Sequence, residues 1–131
     1  MFAFDPTAYG PAFAGLLETD RLCDLGPGSP NHATADALHA LHLDAAFGNT
    51  SYRDRDMALC CLSGVWLLHN YLDDSHTISQ DIHTSSGSYW HGIMHRREPD
   101  FSNAKYWFRR VGDHPIFDTL QASASELAAK E

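Results

Sequence analysis

The segment from Met57 to Leu72 constrains the fold more than any other part of the chain. Met57, Leu59, Cys60, Leu62, Val65, Trp66, Leu67, Leu68, Tyr71 and Leu72 crowd it so densely that a helix built from it has no broad polar face. A helix that is apolar all round has to be surrounded by other elements. Its start, from Arg53 to Asp56, is charged and belongs at the surface, while Ser63 and Gly64 let a neighbouring backbone approach closely. The segment is too short to cross a bilayer. The expectation is a central helix from Asp54 to about Leu72.

The flanking sequence reads as helical too. Residues up to Gly10 suggest an extended arm carrying Phe2, Phe4 and Tyr9, followed by a short helix from Pro11 to Leu22 with Phe13, Leu16 and Leu17 on one side. Asp24 to Asn31 is dense in proline and glycine and reads as a loop. Ser29 and Pro30 form a cap and first-turn pair for a helix running to about Phe47, with Leu38, Leu41 and Ala45 on one face and His42 near it; Gly48 and Asn49 end it. Past residue 100, Ser102 can cap a helix from Asn103 to Val111 that Gly112 terminates. His114 and Pro115 then open a last helix whose Ile116, Phe117, Leu120 and Leu127 can dock. No segment alternates convincingly as a strand. The expected fold is all-α, a compact bundle of about five or six helices around the central apolar helix, with residues 1–131 as a single domain.

Composition narrows the function classes. The 131 residues, 44% apolar and 20% charged, are enough for a core without disulfides. Cys23, Cys60 and Cys61 are odd in number and form no Cys-x2-Cys pair, which points to a reduced, cytoplasmic setting rather than a disulfide framework. Neither a signal peptide nor a membrane span is legible. The formal net charge of -8 argues against a nucleic-acid binder or an anionic membrane surface. Five of the nine basic residues, Arg96, Arg97, Lys105, Arg109 and Arg110, nevertheless fall within one stretch. A local cationic site on an acidic protein suits a small anion.

That stretch, Ser88 to Gly112, carries the chemistry. His91, His95 and Glu98 stand at i, i+4 and i+7, which places them on one helix face where two imidazoles and a carboxylate can hold one metal ion. Pro99 ends the helix, leaving Glu98 at its negative end in need of a cationic partner. His69, Asp73 and His76 repeat the spacing, so two triplets can face each other; Asp73, Asp74 and Ser75 are all good caps and threaten the continuity. The zinc-protease motif is absent, because Gly92 occupies the position of its glutamate.

The ligand set expected from sequence is His91, His95, Glu98 and His69, with Asp73 and His76 as further ligands or as acid and base groups. Nitrogen and oxygen donors without cysteine suit zinc or iron, with manganese or nickel also compatible. An open metal position would activate water or polarise a substrate oxygen, as in a metal-dependent hydrolase, lyase or oxidoreductase. Arginines can grip a small carboxylate or phosphate, and neighbours on a helix diverge by about 100°, so one of each pair faces outward. Nothing in the sequence chooses within the pairs; Arg96 and Arg109 are taken, with Tyr89 and Trp107 as aromatic walls. Cys60 and Cys61 lie in the apolar helix, where thiols are ordinarily inert.

Gly87 to Pro115 resembles the signature of an uncharacterised bacterial protein family, and Leu72 to Gln80 resembles an earlier part of it. The resemblance covers roughly the C-terminal half and implies no reaction type. The competing functional reading is a metal-free binding module, with a His/carboxylate polar interior and an Arg/aromatic surface for a ligand or partner. A homodimer is compatible with either.

Overall fold

The structure is a computed structural model that describes residues 4–17, 22–47 and 51–130. Phe2 of the expected arm and the turn at Gly48 and Asn49 lie outside the described residues. Among them the chain is all helical, with no strand. Eight α-helices follow in order: α1 (Pro11–Leu17), α2 (Ala35–His39), α3 (Leu43–Ala46), α4 (Arg55–Leu68), α5 (Leu72–Ser79), α6 (Ser85–Arg97), α7 (Phe101–Val111) and α8 (Ile116–Ala128). No described helix is long and apolar enough to cross a membrane.

α4 is central, as its composition requires. Asp54 caps it by accepting from the Met57 amide at 3.1 Å. Leu62, Val65 and Trp66 pack with Phe13 and Leu16 of α1, Leu38 of α2, Leu41 and Ala46 to form the main core. The small residues do what close approach demands. Ser63 donates to the Ser75 carbonyl at 3.0 Å, joining α4 to α5, and a Cβ on Gly64 would stand 2.9 Å from the Trp90 indole of α6. α6 packs in turn against α4, α5 and α7.

Four expectations are corrected. The arm before Gly10 contains a 3-10 turn over Pro6–Tyr9, capped by Asp5, rather than extended chain. The segment expected as one helix from Pro30 to Phe47 is broken into a 3-10 turn at His32–Thr34 and the short helices α2 and α3, with His42 extended between them. The central helix stops at Leu68 instead of reaching Leu72, because Asn70 adopts a left-handed φ of 68°. Finally, α8 does not dock along its apolar stripe; it meets the body at its start, where Phe117 lies edge-on to Tyr89. None of its residues is buried, and Phe117, Leu120 and Leu127 are exposed.

The break after Leu68 is held by the preceding loop. Arg97, buried at 5% exposure, donates from Nε to Gly26 O (3.0 Å), from Nη1 to Leu67 O (2.7 Å) and from Nη2 to Pro27 O (3.3 Å) and Asn70 Oδ1. Asn70 Nδ2 donates to Ser29 O at 2.9 Å. The Pro/Gly loop is thus stitched to the C-terminal ends of α4 and α6, and those ends set where the histidines of α5 and α6 meet.

Candidate metal centre

α6 is built to present histidines. Thr84 caps it through the Gly87 amide, and Gly87, Ser88 and Gly92 keep its buried side thin. A Cβ at Gly92 would lie 3.0 Å from the Phe108 ring, so α7 approaches closely there. Pro99 follows a cis peptide bond, and Asp100 starts α7 by accepting from the Asn103 amide at 3.2 Å, a cap expected at Ser102. α7 therefore folds back along α6, and Trp107 stacks on His91 with ring centroids 3.8 Å apart and planes 20° apart.

His76 from α5 completes the group. Its Nε2 lies 3.0 Å from His91 Nε2, and its ring centroid is 5.1 Å from that of His95. His76, His91 and His95 each offer a nitrogen within 4.8 Å of the others, His91 and His95 buried and His76 partly so. His95 Nδ1 is 2.7 Å from Glu98 Oε2, which leaves Nε2 as its free nitrogen. Glu98 is itself largely exposed, beside Asp100, whose carboxyl is held below its usual range by the Asn103 amide and side chain.

The electrostatics disfavour charge on His91 and His76. Burial, and then the neighbouring His76 and His95, push His91 down to about 4. Burial and His95 likewise lower His76, with Glu98 and Asp73 opposing. Neutral imidazoles are the form in which histidine binds metal. Two ring nitrogens 3.0 Å apart also need something between them, a proton or a cation. Without metal the contact is an N–H···N bond. His91 Nδ1, buried beneath Trp107, has no hydrogen-bond partner among the described residues, so the ring is positioned by stacking on Trp107 and by its Nε2 contact with His76.

The structure thus brings His76, His91 and His95 together, with Glu98 behind His95 and Trp107 over His91. His69 is not brought in. The turn at Asn70 rotates α5 away from the end of α4, and His69 sits under the loop with Nδ1 accepting from Asn31 Nδ2 (3.1 Å) and Nε2 donating to Leu16 O (2.9 Å). Asp73 is exposed in the first turn of α5, near enough to His76 for its charge to oppose the lowering there. Tyr89 points elsewhere, stacking on His114 and meeting Phe117. Arg96 is exposed, donates to Leu25 O at 2.9 Å and lies over Phe101. Arg109 is exposed as well, whereas Arg110, passed over in the sequence, lies 5.4 Å from the Trp107 ring.

Two nucleophile arrangements are disfavoured by the same kind of reasoning. Ser86 Oγ lies 2.8 Å from His114 Nε2, but the Ile116 amide donates to His114 Nδ1, so Nε2 carries the proton and cannot take one from serine. Burial pushes the Cys60 thiol up to about 12 and raises Cys61, which keeps both thiols protonated. Comparison with protein-family models, curated proteins and solved structures finds no match to this chain.

Proposed function

We propose that the chain binds one divalent metal ion through His76, His91 and His95 and uses its open position to act on a small anionic substrate. The observation that carries this reading is the convergence of three imidazole nitrogens within 4.8 Å, one from α5 and two from α6. Tetrahedral zinc with bonds of about 2.0–2.1 Å sets its nitrogens roughly 3.3 Å apart, so the His76–His91 spacing needs only a sub-ångström adjustment. Three histidines with a fourth position open is a donor set used by catalytic zinc; the iron set of two histidines and one carboxylate fits less well, because Glu98 faces His95 Nδ1 rather than the cluster. Glu98 instead serves as the carboxylate that orients a ligating histidine.

In this reading His76 is a ligand rather than an acid or base. A bound metal would supply an activated water, and the exposed Asp73 of α5 would be the carboxylate for proton transfer. Arg110, over Trp107, provides positive charge for the anion. The test is zinc titration of chelator-treated protein by calorimetry. One equivalent should bind at sub-micromolar Kd, each of His76→Ala, His91→Ala and His95→Ala should abolish it, and Glu98→Gln should weaken it about 10–100-fold. His83→Ala, at an exposed histidine outside the cluster, should have no effect. Equal binding by the His91→Ala and wild-type proteins would overturn the proposal.

A further inference from the structure

On another side of α6 from the histidines lies an apolar cavity of about 400 Å³, walled by Phe13, Val65, Leu68, Trp90 and Ile93, with Arg97 among its lining residues. It shares no residue with the histidine cluster. Its volume is at the small end of the range of ligand pockets, room for a medium-length chain rather than a bulky lipid. Gly64 shapes it, since any Cβ there would collide with the Trp90 indole that forms one wall.

Arg97 makes the cavity more than a packing fault. Its guanidinium is permanently charged and buried at 5% exposure, yet its acceptors are three backbone carbonyls and the Asn70 amide oxygen, all formally neutral. No described carboxylate lies within ion-pair distance. Those bonds use four of the five guanidinium donors, leaving one N–H on Nη1 with no acceptor among the described residues. A buried cation without a counter-charge is costly, and a carboxylate is the partner that guanidinium geometry fits best.

We infer that this cavity binds a monocarboxylate with an apolar chain, of the size of a medium-chain fatty acid, its chain against Trp90 and Ile93 and its carboxylate toward Arg97. The site is independent of the metal centre. Phe4 and Tyr9, which also line it and are partly exposed, put its mouth at the N-terminal arm.

Calorimetric titration of the full-length protein with decanoate, decanol and decylamine tests this. Decanoate should bind at one site at least tenfold more tightly than decanol, decylamine should bind more weakly still, and chelator should change nothing. Ile93→Trp, which fills the cavity, should remove decanoate binding while far-UV dichroism and zinc binding are retained; Leu68→Trp serves the same purpose from α4 should Ile93→Trp not fold. Absence of decanoate binding, decanol binding as well as decanoate, or undiminished binding in a folded cavity-filled variant would each overturn the inference.

Discussion

Acidification should destabilise the metal-free protein through His91 specifically. Its folded value of about 4, against 6.5 for an unperturbed histidine, means that the unfolded chain binds the extra proton throughout that interval. Stability therefore rises with pH across it, is fully present above 6.5 and is lost as pH falls toward 4. Integrating from pH 7.5 to 5.0 gives a loss of about 2 kcal/mol, and screening at the open His76 side reduces this to roughly 1–2 kcal/mol. The assay is urea unfolding by circular dichroism, with chelator, at both pH values for wild type and His91→Phe. Phenylalanine keeps a ring over Trp107 and cannot titrate. His76 is lowered by burial and His95 in the same direction, so both proteins lose some stability on acidification and the excess loss in wild type reads His91. Wild type should lose about 1–2 kcal/mol more than the variant on acidification. Equal losses would refute the assignment of a buried, neutral His91.

Three further outcomes follow from packing. Gly87→Ala drives a Cβ into the Ile82 carbonyl oxygen, a backbone contact that cannot rotate away, and should cost upward of about 2 kcal/mol in urea unfolding. Arg97→Met strands the carbonyls of Gly26, Pro27 and Leu67 together with Asn70; it should cost about 3–5 kcal/mol and expose the 24–31 loop to proteolysis before the helices. Leu120→Ala and Leu127→Ala, at exposed positions of α8 beyond its contact at Phe117, should each change stability by no more than about 0.5 kcal/mol, and a larger cost would show that this face is covered.

Much of the fold was legible because it rests on local rules. The all-round apolarity of α4, the start of α1 at Pro11, the Pro/Gly loop and the halt at Pro99 each follow from nearby residues, and the roles of Ser63 and Gly64 followed from their size alone. The centre was half legible. Helical periodicity placed His91 and His95 together, but the same periodicity carried across Asn70 aligned His69 with Asp73 and His76. One left-handed residue, held by Arg97 from 27 positions away, undoes that alignment. What asparagine permits at that position is local chemistry; that it is used depends on a tertiary contact. The sequence likewise marked one of Arg96 and Arg97 as outward-facing without saying which, and the choice is made by the carbonyls of the 24–31 loop. The sequence could not choose Arg110 over Arg109, because its relation to the site exists only once Trp107 is stacked on His91. The docking expected of α8 rested on its apolar stripe, and a stripe shows only that a face can be covered, not that this chain covers it.

The most direct test of the central proposal is crystallographic: anomalous diffraction at the zinc edge from protein crystallised after loading with one equivalent of zinc. A single anomalous peak is expected about 2.0–2.1 Å from a ring nitrogen of each of His76, His91 and His95, with Glu98 hydrogen-bonded to His95 and outside bonding distance of the metal. Zinc bound elsewhere, or a cluster that stays hydrogen-bonded and metal-free in loaded crystals, would contradict it.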